Sequence, residues 1–172
     1  DHTEGESRAS GKFGLTRPLQ SVDGRLWASI ADGFKLPSFF ALGNPLFGNP
    51  DLAPEKVTRF EAGYDQRFGG GIEAGFSLFA GEYEDLVDFD FETFTNINRG
   101  RVDINGVFLY LRLQLAPNLQ LGADATLSDI SSDSGPLRRR PENIGGFHLT
   151  WCPTAAWSFD LAARFVGDPA TT

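Results

Sequence analysis

The chain has 172 residues and a formal net charge of −8, with sixteen Phe, twenty Gly, one cysteine and no methionine. The acidic balance argues against nucleic acid as a partner, the single Cys152 excludes an internal disulfide or a cysteine-rich metal cluster, and the only basic run is Arg138–Arg140. No apolar run approaches the ~18 residues of a membrane-spanning helix, no secretory signal opens the chain, and the polar start "DHTEGESRAS" is expected to lie inside a longer protein.

In chain order, the sequence alternates apolar and polar residues with a period of two, the pattern of one-sided β-strands. A first strand near Ser7–Arg17 leads through a short connection, Pro18–Gly24, into a second. Phe34–Pro54 follows, a long segment with two Gly-Asn-Pro motifs and four prolines, expected to form neither a helix nor a regular strand. It is nonetheless rich in Phe and Leu. Beyond it Phe60, Ala62, Tyr64 and Phe68 alternate with Arg59, Glu61, Asp65 and Arg67. After the turn Gly69–Gly71 come Ile72, Ala74, Phe76, Leu78 and Ala80 on one parity. "GGGIEAG" at this point has the glycines of a phosphate loop, but a strand follows it, so it reads as a turn.

Asp85–Asn98 reads as a second long loop, and "EYEDLVDFDFE" at its start concentrates Glu82, Glu84, Asp85, Asp88, Asp90 and Glu92. Asp88 and Asp90 share a parity that would suit a hard cation, but no Gly-punctuated ligand loop accompanies them, and a solvated strand rim is the better reading of the run. Val102 and Ile104 share one parity while Val107 and Leu109 share the other, which predicts a bulge near Asn105–Gly106. The strand Val107–Leu115, the turn Ala116–Asn118 and the strand Leu119–Ser128 precede a third long loop, Ser131–Arg139. A seventh strand, a short turn at Cys152–Ala156 and a last strand, Trp157–Phe165, complete the series.

Short and long connections therefore alternate strictly. About eight strands joined in this way form an all-β antiparallel meander with every short turn at one end and every long loop at the other. That asymmetry suits an outer-membrane barrel, with aromatics such as Tyr83, Phe89, Phe91, Trp151 and Trp157 near strand ends. Alternation alone leaves open a soluble lipocalin-like barrel or a sandwich. His2 and His148 stand far apart, and Cys152 is expected in a turn, so these residues assemble neither a catalytic triad nor a metal site. No cofactor is implied.

Four motifs in order carry a resemblance. "GFKLPSFFALGNPLFGNPDLAPEKVTRFEAGYDQRF", "YEDLVDF", "NRGRVDINGVFL" and "PLRRRPENIGGFHLTW" resemble successive segments of TonB-dependent outer-membrane receptors, over roughly Gly11–Gly167. The last resembles most the cobalamin (vitamin B12) branch. Phe108 stands where the family has a Glu. The resemblance implies a partial, unclosed stretch of a barrel of about 22 strands, resident in the Gram-negative outer membrane. On that reading residues 1–172 hold no plug domain, no TonB-binding box and no closing C-terminal strand. It implies TonB-energised uptake of a metal chelate, cobalamin first and a ferric siderophore or haem second, and no enzymatic activity. The implied partners are that chelate, membrane lipid and lipopolysaccharide, with TonB engaged only through a plug. Arg139 aligns with a ligand-contacting arginine of the cobalamin branch; the alternative for it is a basic rim that pairs with lipopolysaccharide phosphates or with the acidic loop. Phe39, Phe40 and Phe47 either meet the apolar surface of a ligand or pack the loop on itself. A complete eight-stranded barrel with a structural or adhesion role is the competing expectation. Pairing of the first strand with the last would separate the two.

Overall fold

The computed structural model describes residues 9–133 and 141–167. The strands are β1 (Lys12–Leu19), β2 (Gly24–Lys35), β3 (Glu55–Phe68), β4 (Ile72–Asp90), β5 (Thr95–Ala116), β6 (Leu119–Ser132), β7 (Asn143–Thr154) and β8 (Trp157–Val166). Each pairs antiparallel with the next, giving one eight-stranded sheet in sequence order. Among the described residues β1 and β8 do not pair with each other, so the sheet is open and the complete eight-stranded barrel is set aside.

Register fixes the faces. On β4, Phe76 and Leu78 stand 44% and 53% exposed, while Ser77 between them is 2% exposed. Phe13, Leu15, Ile30, Phe60, Leu109 and Leu161 share the outward face with Phe76 and Leu78 through the ladder. The opposite face holds Arg25, Glu61, Asp65, Glu73 and Asp160, with Trp27, Phe79 and Phe108 as aromatic members. Greater burial on the polar side means that the sheet curves around it. A soluble sandwich would bury the apolar parity instead. Among the described residues the buried hydrophobic ones are Ala41, Leu52, Leu86 and Val102, in the Phe34–Pro54 segment and the outer part of β4 and β5.

Several expectations change. Asp85–Asn98 is not a loop: β4 and β5 run on as a paired hairpin to Asp90 and Thr95, leaving only residues 91–94 as a turn. No bulge interrupts Asn105–Gly106, because the register with β4 and β6 is continuous from Val102 to Leu113. Val102 and Ile104 face inward instead, and Val102 is completely buried. The first strand begins at Lys12, and Cys152 lies within β7 rather than in a turn. Phe34–Pro54 does contain a helix, α1 (Phe39–Gly43). Its five residues fit between Pro37 and Pro45, and the Ser38 hydroxyl caps the turn by accepting from the Ala41 N–H at 3.1 Å.

Candidate functional site

Past the apolar band the outward face becomes charged. Lys56 reaches Glu84 at 3.4 Å and Asp85 at 3.8 Å, and Arg101 reaches Glu82 at 3.1 Å and Asp103 at 2.9 Å. Such exposed pairs contribute little stability each, but they mark where the strands leave an apolar surrounding for water. Asp85 takes a left-handed conformation (φ 58°), which an Asp tolerates. Beyond it Leu86 is 4% exposed, and with Leu52 and Val102 it is one of the buried apolar residues of the loop end.

At this end the Phe34–Pro54 segment is folded by its own side chains. The Asn44 carbonyl oxygen of the side chain accepts from the Leu46 N–H at 2.9 Å, and that of Asn49 accepts from the Asp51 N–H at 3.0 Å. Each Asn-Pro step thus starts a turn. Gly48 is obligatory, since a Cβ there would sit 2.5 Å from the Asn44 backbone N and O.

Two asparagines of β5 then hold the segment. The Asn96 backbone N–H and side-chain Nδ2 both donate to the Phe47 carbonyl at 3.0 Å, and Asn49 Nδ2 donates to the Asn96 carbonyl at 2.9 Å. Asn98 Oδ1 accepts from the Ala53 N–H at 2.8 Å while its Nδ2 donates to the Ala53 carbonyl at 3.0 Å and to the Asp85 carbonyl at 2.6 Å. An aromatic chain runs alongside. Phe40 meets Phe47 at 5.3 Å, Phe47 meets Phe89 at 5.9 Å, and Phe89 meets Phe91 and Phe94 at 4.8 and 5.3 Å, all edge to face.

The three phenylalanines singled out from the sequence therefore divide. Phe47 is half-buried and packs the loop, whereas Phe39 is 94% exposed and Phe40 65% exposed. Leu46, 78% exposed, joins these two. Arg139 lies outside the described residues. Asp88 is paired with Arg99 at 3.2 Å, and Asp90 accepts from the Thr93 hydroxyl at 2.6 Å, so both carboxylates serve their own hairpin. The Thr93 hydrogen bond, with the Glu92 and Thr93 N–H groups behind it, holds the Asp90 carboxyl below the ordinary carboxylate range. Sequence reasoning missed Asn96 and Asn98. Their signal is parity: both share the inward face with Val102 and Ile104, where an amide is out of place unless it has a partner.

Farther down, the curved inner wall is a polar network. Tyr110 donates to Asp65 at 3.0 Å and to Glu73 at 3.1 Å, Arg25 Nε donates to Asp65 at 3.0 Å, and Arg112 donates to Glu73 at 3.1 Å. Thr150 and Ser158 both donate to Asp160 on the last two strands. The wall is polar, as a lumen requires.

The whole chain, residues 1–172, matches the family described as TonB dependent receptor-like, beta-barrel. Among solved structures it is similar to the copper transporter OprC, with 23% identity and a TM-score of 0.70 over 91% of this chain and 25% of that one. The siderophore receptor PirA from Pseudomonas aeruginosa matches at 19% identity and a TM-score of 0.67, over 92% of this chain and 30% of that one. A mutant of the ferric enterobactin receptor PfeA from Pseudomonas aeruginosa matches at 19% identity and a TM-score of 0.67, over 95% and 30%. The chain thus spans between 25% and 30% of the length of these three structures.

Proposed function

The chain belongs to the TonB-dependent receptor-like β-barrel family, and from that premise we propose that it forms part of the wall and outer mouth of a transporter for a metal chelate. The family is one of outer-membrane receptors and transporters rather than enzymes, and the chain is an outer-membrane barrel segment. Residues 1–172 form one stretch of the barrel domain, with the plug, the TonB-binding box and the closing strand supplied by the rest of the receptor. Its apolar face meets lipid, its curved polar face lines the lumen, and the charged outward face above the band meets lipopolysaccharide head groups.

One observation carries the reading. Phe39, Phe40 and Leu46 hold apolar surface in water on a segment whose backbone is pinned to the sheet below. Apolar side chains kept exposed on an ordered support favour a ligand with aromatic or apolar surface over a bare metal ion. Cobalamin is the first candidate, on the strength of the Leu137–Arg140 run, with Arg139 as a charged donor to its polar groups. A ferric siderophore or haem is the second, and the siderophore is favoured by the receptors for such chelates among the similar folds.

The test is titration of cyanocobalamin and of a ferric catecholate onto outer membranes carrying the whole receptor. Arg139→Ala should weaken binding of the transported chelate by about one to two decades, because a charged hydrogen bond is worth ~1.5–3 kcal/mol. Phe39→Ala together with Phe40→Ala should weaken it by about one decade. Affinity unchanged in every variant would leave the exposed phenylalanines and Arg139 outside the binding site.

A further inference from the structure

We propose that Asn96 and Asn98 are positioning residues that join the Phe34–Pro54 segment to the β4–β5 extension, so that both present their exposed phenylalanines as one body. The inference rests on the chelate reading for its consequence, though not for its geometry.

Proline chemistry makes such a clamp necessary. The segment has prolines at 37, 45, 50 and 54, so it cannot pair as a strand with the neighbouring hairpin. Its backbone groups near Ala53 and Phe47 still need partners where they are shielded from water. A side-chain amide is a short group that offers a donor and an acceptor together, and Asn98 uses both on Ala53, much as a paired strand residue would. Its second N–H hydrogen goes to the carbonyl of Asp85, the left-handed residue of β4. Asn98 thus ties the long segment and Asp85 of β4 to one point of β5.

Asn96 supplies the second point, two residues farther toward the tip. Its side chain and backbone N–H converge on the Phe47 carbonyl, and the Thr95 hydroxyl adds a third donor at 3.3 Å. The Phe47 ring on the same residue meets Phe89 of β4, so polar and aromatic contacts fix one place together. Two attachments on one strand leave little freedom to hinge. The composite surface then carries Phe39, Phe40 and Leu46 from the segment and Phe94, 60% exposed, from the hairpin turn. A ligand meeting it avoids the cost of ordering a loop.

Spin labels at Asp51→Cys and Glu92→Cys, both exposed, with Cys152→Ser, report the distance between the two parts in the whole receptor in outer membranes, and affinity is read in the unlabelled variants. The parent should show one narrow distance. Asn98→Asp removes both amide donations and sets a carboxylate against two carbonyls, and Asn96→Ala removes the side-chain bonds to the Phe47 and Ala41 carbonyls. Each should broaden the distribution and weaken binding of the chelate that the parent binds by about tenfold, with heat-modifiability of the barrel unchanged. Asn105→Ala, on the outward face, should change nothing. A narrow distance retained in both Asn98→Asp and Asn96→Ala overturns the clamp. Broadening in a receptor whose parent binds neither cyanocobalamin nor a ferric catecholate sustains the clamp and overturns the chelate reading instead. Broadening with affinity unchanged overturns the positioning role. If Asn98→Asp does not insert, Asn96→Ala decides alone.

Discussion

Midway along the strands and at the loop end, apolar side chains lie on opposite faces of the same sheet. On β5, Leu109 and Leu111 point outward, while Val102 and Ile104, on the same strand and nearer the loops, point inward. On β4, Phe76 and Leu78 point outward, and beyond them Glu82 and Glu84 occupy that face instead. No bulge causes the exchange, so the backbone is not its origin. The surroundings change along the strand, from hydrocarbon to water, and the side chains follow the solvent. Lower down, order comes from the hydrogen-bond ladder and lipid; at the loop end it comes from a small protein core with its own polar clamps.

The largest effect should come from reversing this arrangement in the band. Leu161 and Asp160 are adjacent on β8 and face opposite ways. Leu161→Arg should cost about 2–4 kcal/mol of barrel stability in a bilayer, and Asp160→Arg much less. Denaturant unfolding of the whole receptor in lipid vesicles measures both, and equal costs would mean that neither face meets lipid. Gly122, on the inner face, does not serve as the tolerant partner: a Cβ there would lie 2.0 Å from the His148 ring, so its cost would report a clash rather than polarity.

The loop-end core gives the converse. Leu86→Ala removes a buried side chain and should cost about 2–3 kcal/mol. That cost belongs to local opening, so hydrogen exchange at the Asn96 and Asn98 amides should accelerate while unfolding of the barrel in vesicles stays unchanged. Loss of barrel stability of the same size would show that the two regions form one cooperative unit. Within the loop, Phe47→Ala should cost about 1–2 kcal/mol of local stability through its two edge-to-face partners, and Phe39→Ala less than about 0.5. Proteolysis of the segment in intact cells ranks the two. Equal rates would erase the division between packing and presenting phenylalanines.

How far these regions could be read from sequence follows the same boundary. In the band, period-two alternation is strong, and Ile72–Ala80 and Leu119–Ser128 were legible as strands because lipid demands one apolar parity. Above the band that demand reverses, so Asp85–Asn98 looked like a long loop although Leu86–Asp90 pair with Thr95–Arg99. The parity change at Val102–Val107 had the same cause and imitated a bulge. Pro-rich Phe34–Pro54 hid a single helical turn in its proline-free stretch. Phe39, Phe40 and Phe47 could be named but not divided, and the clamps on Ala53 and Phe47 join residues more than forty positions apart, which no local pattern records.

The smallest effect sits at the tip, where a change of pH alone should loosen the turn without touching the band. Asp90 is exposed, and its carboxyl is held below the ordinary range first by the Thr93 hydroxyl. A group whose pKa falls on folding stabilises above its unfolded value, ~3.9 for Asp, and that contribution is lost as pH falls through the lower folded value. Protease cutting or label mobility at residues 91–94 should therefore be constant from neutral pH to about pH 4 and rise below it. Asp88, Glu92 and Arg99 lie near the same turn, so the parent profile alone does not assign the step. Asp90→Asn does. It keeps an oxygen acceptor for Thr93 but carries no charge to lose, so the turn should already be looser at neutral pH and the acid step should shrink. An acid step of full size in Asp90→Asn would assign it to Asp88 or Glu92. A turn that loosened on raising the pH would contradict the direction of the Asp90 shift.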